Sequence, residues 1–137
     1  MSIKQALVLY PITLAVFFAV DLLWLGIVAK GFYRRHLGYL MSPRVNWAAA
    51  LAFYLLFVVG LLVFAVRPAV SGGAPVQALW LGGLLGLICY ATYDLTNLAT
   101  VRDWPVIVTA VDLAWGTILG GVVSFLSALV GRALVRS

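Results

Sequence analysis

The chain has 137 residues, is 65% hydrophobic and only 9% charged, and carries a net charge of +5. A soluble domain is about half apolar, so this composition excludes a water-soluble globule. The positive charge lies in short segments between apolar runs rather than on one basic face. That argues against nucleic acid and for anionic lipid headgroups as its partner.

A spanning helix needs about 20 apolar residues. Four segments meet that length, which predicts an all-α integral membrane fold: one domain over 1–137, a four-transmembrane-helix bundle. The first predicted helix covers 5–29. Its apolar run is too long for a signal-peptide core, contains Asp21 and lacks a small-residue cleavage pattern, so it reads as a retained span. Pro11 either begins its regular part or kinks it. The loop over 30–44 mixes Lys30, Arg34, Arg35 and Arg44 with Phe32, Tyr33 and Tyr39, and reads as an interfacial segment at the headgroups. His36, the only histidine, lies in this basic loop and is a poor metal ligand. The second helix covers 47–66 and is expected to end before Pro68 and Ser71-Gly72-Gly73. The third covers 76–98 and the fourth 105–130. Pro75 and Pro105 suit their first turns, where a missing N–H costs nothing, and Asp103 suits the N-cap of the fourth.

Gly82 with Gly86, and Gly116 with Gly120, form small-xxx-small pairs that predict a tight hairpin of the third and fourth helices. Cys89, the only cysteine, has no partner for an internal disulfide and reads as a small apolar residue. Orientation is left open: four Lys and Arg lie on the side of the termini and five on the side of the first and third loops.

The acids carry the most information. There are four, all Asp, and three of them (Asp21, Asp94 and Asp112) lie inside apolar spans. A carboxylate in hydrocarbon is costly and marks a functional-site hypothesis by default. Asp21 precedes Lys30 by nine residues, Asp94 precedes Arg102 by eight, and Asp112 follows Trp104 by eight. At 1.5 Å per residue all three lie about 12–14 Å below the loop-side interface, close to mid-membrane.

Each acid belongs to a polar or aromatic stripe at helical spacing. The stripes are Thr13, Phe17, Asp21 and Trp24; Gly83, Gly86, Tyr90, Asp94 and Asn97, with Tyr93 beside them; and Thr109, Asp112, Trp115 or Gly116, Gly120 and Ser124. These faces are expected to meet one another rather than lipid. The second helix offers Tyr54 and Asn46 as hydrogen-bonding neighbours. A short pattern recurs: Ala19-Val20-Asp21-Leu22-Leu23-Trp24 resembles Ala110-Val111-Asp112-Leu113-Ala114-Trp115. Asp and Trp three apart share a helix face. Because the helices are antiparallel, Trp24 is expected above the acid layer and Trp115 below it, bracketing a cationic or amphipathic ligand. No Lys or Arg lies within the apolar spans. Three neighbouring carboxyls without a cation cannot all be ionised, so the layer must hold protons, take an external cation or be reached by water.

These residues carry a resemblance: Asp21-Leu22-Leu23-Trp24, Phe53-Tyr54-Leu55-Leu56-Phe57, Tyr90-Ala91-Thr92-Tyr93-Asp94-Leu95-Thr96-Asn97, Trp104-Pro105, and Asp112 with Trp115-Gly116. Over essentially its whole length the chain resembles a family of small bacterial four-span membrane proteins, domain-of-unknown-function family 2177. The resemblance implies a multi-pass protein of the bacterial inner membrane and brings no activity with it.

Three functions fit the residues. The first is a site that binds a small cationic or amphipathic molecule, with proton-coupled transport. Its residues are Asp21, Asp94, Asp112, Trp24, Tyr54, Tyr90, Tyr93, Asn97 and Trp115, and a homodimer is expected because four helices are few for a complete pathway. The second is an intramembrane enzyme acting on lipid or isoprenoid, with Asp94 and Asp112 as acid and base. The third is an accessory subunit whose polar layer docks a partner helix. No nucleotide, haem or flavin motif is present and no cofactor is expected. An Asp cluster without His or Glu is a weak metal site.

Overall fold

In a computed structural model, which describes residues 1–136, the chain is helical nearly throughout, with no strand among the described residues. Four helices are long and apolar enough to cross a membrane: Ile3–Val28, Trp47–Ser71, Pro75–Thr100 and Val106–Arg136. The expected four-span fold is what forms, with longer ends.

The first span begins at Ile3 because Ser2 and Gln5 form a capping box. The Ser2 hydroxyl accepts from the Gln5 N–H, and the Gln5 side chain accepts from the Ser2 N–H. That satisfies two of the orphan donors of the first turn. Pro11 lies within this helix and does not end it. The last turn, Trp24–Val28, widens into a π-helical turn, a feature that recurs at functional sites. Gly31, at φ 81°, then supplies the left-handed residue that turns the chain back. The loop folds into a short helix, Phe32–Leu37.

The second span is capped by Asn46, whose side chain accepts from the Ala49 N–H at 3.1 Å. Asn46 is therefore spent on the helix end and takes no part in the acid layer. Pro68 does not end this span. The helix widens over Leu62–Val66 and continues through Arg67–Ser71. Pro68 lacks an N–H and its ring crowds the turn before it. The widened turn lies where that strain falls. Nor does Asp103 cap the fourth span. Asp103 adopts a left-handed conformation at φ 59°, its carbonyl accepts from the Tyr39 hydroxyl, and the helix starts at Val106.

The third and fourth spans pack on each other far more extensively than any other pair. A methyl group added at Gly86 would strike the Gly116 carbonyl, and one added at Gly120 would strike the Gly82 carbonyl. The two small-residue pairs thus face each other with backbones touching, as their spacing predicts. The first span packs on the fourth along Leu9, Thr13, Phe17 and Asp21, all buried and four residues apart. The second span packs mainly through its second half, from Phe57 onward. Residues 47–56 are exposed except for half-buried Ala50 and Tyr54. The bundle is closed on the side of the termini and splayed on the side of the first loop.

Candidate functional site

The splay leaves a cavity of about 430 Å³ among all four spans and the loop helix, within the range of small-molecule sites. Asp21, Asp112, Trp24, Trp115, Tyr33, Tyr54, Tyr90 and Tyr93 line it, with Leu25, Ala50, Phe53 and Cys89 completing the apolar wall. Seven of the nine residues expected from sequence thus meet around one space. The other two do not line it. Asp94 is fully buried behind the wall. Asn97 sits one turn beyond Tyr93 on the same span.

The acids differ in their partners. Asp112 accepts a 2.6 Å hydrogen bond from the Tyr33 hydroxyl, which itself accepts from the Trp24 indole N–H at 3.2 Å. Asp21 accepts from the Trp115 indole N–H at 3.4 Å. Asp94 has no donor on either oxygen. Its neighbour is Asp112, and two facing carboxyls hydrogen-bond only when a proton lies between them. The partners of the lining acids are thus a phenol and an indole, and neither is a cation.

The repeated Ala-Val-Asp-x-x-Trp pattern acquires a structural meaning here. Asp21 takes the indole of the second copy, and Asp112 takes, through Tyr33, the indole of the first. The two copies serve each other's acid. The expected bracketing of the acid layer does not occur: Trp24 and Trp115 stack face to face, with centroids 4.5 Å apart and planes 8° from parallel. The reason is side-chain direction. Helical side chains lean toward their own N-terminus. In these antiparallel spans Trp24 leans away from the loop side and Trp115 leans toward it, so the indoles converge on one level. Such a stack contributes about 0.5–1.5 kcal/mol beyond its buried area.

The rest of the wall is positioned by packing. Phe17 is fully buried and meets Tyr54 at 5.5 Å and Phe57 at 5.7 Å between centroids, so aromatic rings floor the cavity. Trp104 is buried at the loop side. Its indole N–H donates to the Thr109 hydroxyl at 3.0 Å, which reaches the Asp94 carbonyl at 3.4 Å, and Tyr93 packs edge-on against it at 5.6 Å. Trp104 therefore locks the third and fourth spans together beside Asp94.

Tyr33 is the site residue that sequence reading missed. It lies in the loop taken for a headgroup segment, and only folding of Phe32–Leu37 over the first span's end brings it to Asp112. The available signal was Gly31 after the span, which reverses the chain. Burial first, and then the hydrogen bond to Asp112, push the Tyr33 phenol up from its ordinary value near 10. It therefore remains a proton donor to Asp112 across the physiological range. Tyr33→Phe leaves an acid oxygen without its donor, which costs about 1–3 kcal/mol. The expected result is a lower melting temperature in detergent, with a changed tryptophan emission because Trp24 loses its acceptor. An unchanged emission spectrum would remove Tyr33 from this relay.

Among the described residues no cluster of three or more His, Cys, Asp and Glu is arranged to hold a metal ion. The fold and cavity define a four-span integral membrane protein with an acid- and aromatic-lined pocket within the bilayer. Residues 6–129 match the family model described as "Predicted membrane protein (DUF2177)", and the chain belongs to that family. No curated protein and no solved structure matches the chain.

Proposed function

We propose that this protein, in the cytoplasmic membrane of a bacterium, binds a small amphipathic cation in the four-span cavity and exchanges protons against it. The observation that carries this reading is the combination of Asp21 and Asp112 in one cavity with stacked indoles and four tyrosines, and with no cationic partner for either acid among the described residues. Aromatic faces attract cations by about 0.5–2 kcal/mol each, most strongly where water is excluded. Carboxyls then supply the neutralising charge, and the protons they release leave with the exchange.

The splayed first half of the second span supports a ligand with an apolar part. Its exposed apolar residues include Trp47, Leu51, Phe53 and Leu55, and Phe53 lines the cavity. An amphiphile dissolved in the bilayer enters such a space without first crossing water. The test uses tetraphenylphosphonium with detergent-solubilised protein at weakly buffered neutral pH. Saturable binding accompanied by proton release supports the reading. Absence of saturable binding by this probe and by a quaternary alkylammonium would overturn it.

A second reading rests on one specific juxtaposition. Asp94 and Asp112 are neighbours with one buried and one at the cavity wall, an arrangement suited to acid and base roles on a lipid or isoprenoid. Membrane lipid profiles after deletion and overexpression test it, and unchanged profiles count against it.

A further inference from the structure

Below the acid cavity the membrane interior holds a second set of polar groups, unconnected with the first. Thr13, Ser124 and Ser127 are fully buried, and among the described residues none of their hydroxyls has a hydrogen-bond partner. Elsewhere in the third and fourth spans hydroxyls satisfy themselves. Thr92, Thr96, Thr100 and Thr117 each donate to the carbonyl four residues earlier. That back-bond is the ordinary solution for a hydroxyl in hydrocarbon. The three buried hydroxyls do not use it, and an unmet buried hydroxyl costs about 1–3 kcal/mol.

Their positions follow one another in depth. Leu9 packs beside Gly131, so in antiparallel spans Thr13, one turn later, stands at the level of Ser127, one turn earlier. Ser124 is one further turn toward mid-membrane and lies against Gly82 of the third span. Arg132 marks the terminal end of this interface, where its guanidinium reaches the Gly73 carbonyl at 3.4 Å. Ser127 lies five residues inside Arg132, about 7.5 Å along the helix. At the level of Ser124 the column meets Phe17, one turn after Thr13 and fully buried.

We propose that Thr13, Ser124 and Ser127 line a hydrated half-channel running from the terminal face of the membrane to the Phe17 layer beneath the acid cavity. Water supplies the missing partners of the three hydroxyls, since each buried water makes about three hydrogen bonds. The acid cavity lies toward the loop side of the bundle and this column toward the other. The two polar spaces are separated by Phe17 and its neighbours. For the proton-exchange reading, whose purpose it serves, the column is the route by which protons reach the opposite face. Its existence does not depend on that reading.

The test is cysteine accessibility in a Cys89→Ala background, using a small charged methanethiosulfonate reagent on protein in nanodiscs. Thr13→Cys, Ser124→Cys and Ser127→Cys are compared with Val123→Cys and Leu119→Cys, which occupy fully buried apolar positions on the same span as the serines. Thiolate is the reacting species, and hydration that lowers a thiol pKa by about one unit speeds reaction about tenfold. The expected result is labelling of the three column positions about tenfold faster than the two controls. Equal, slow labelling at all five would overturn the proposal and leave the hydroxyls turned onto their own helix carbonyls. Water-edited solid-state NMR of the unsubstituted protein reads the same positions without any change in packing. Magnetisation transfer from water to Thr13, Ser124 and Ser127 supports the column, and its absence overturns it. Tetraphenylphosphonium binding is measured separately, so loss of the half-channel and loss of the ligand site are distinguishable.

Discussion

Asp112→Asn is expected to weaken tetraphenylphosphonium binding by about 2 kcal/mol or more, about 30-fold in Kd, and to remove most of the accompanying proton release. Asp112 is the acid with the strongest claim because three features meet on it. It lies on the cavity wall, it accepts the 2.6 Å bond from Tyr33, and it neighbours the buried Asp94. Asn keeps the volume and one acceptor oxygen but cannot take a negative charge or give up a proton at neutral pH. The Tyr33 bond survives the substitution, so the protein should remain folded. Asp21→Asn should weaken binding less, since among the described residues its carboxyl accepts one hydrogen bond, the long one from Trp115. The measurement is isothermal titration in two buffers of different ionisation enthalpy, which separates binding from proton release. Wild-type affinity with wild-type proton release in Asp112→Asn would leave the cavity without its proposed chemistry.

Gly86→Leu is expected to have the largest effect on stability. Even one methyl at Gly86 runs into the Gly116 backbone, and backbone cannot turn aside as a flexible side chain can. Extra methylenes in a tight interface cost about 1–3 kcal/mol, and here the third and fourth spans must separate along their length to admit them. Separation would also carry Tyr90, which packs over Gly116, away from the cavity. The variant should therefore lose both thermal stability and ligand binding. Gly60→Ala is the control. The added methyl there meets only the Leu85 side chain, at 3.6 Å, an ordinary contact. A Gly86→Leu protein with unchanged melting behaviour in detergent size-exclusion assays would refute the close packing. Neither effect depends on the other: the aspartate result concerns charge, the glycine result backbone distance.

Much of this was legible in the sequence because the bilayer imposes few alternatives. Apolar length fixed the number of spans, since every backbone group in hydrocarbon must be satisfied within a helix. The i, i+4 spacing of Thr13, Phe17 and Asp21 defined the buried face of the first span, which the structure extends to Leu9. The paired glycines predicted the tight hairpin, because small residues are what allows backbones to touch in lipid. Counting inward from the flanking charges brought Asp21, Asp94 and Asp112 to one depth, and the structure gathers them around one cavity and its inner wall. Each of these is a local quantity: a length, a period or a distance along one helix.

What tertiary structure alone decided is relational. Side-chain lean in antiparallel helices stacked Trp24 on Trp115 where depth counting had set them apart. Folding of the loop helix brought Tyr33 to Asp112 across 79 positions of sequence. Packing set Asp94 behind the wall rather than on it, and left the first half of the second span splayed beside the cavity. Periodicity says which residues share a face, but it carries no information about which residue of a neighbouring helix stands opposite. That is set by interhelical register and by where the connecting loop folds, and both are settled only when the four spans pack.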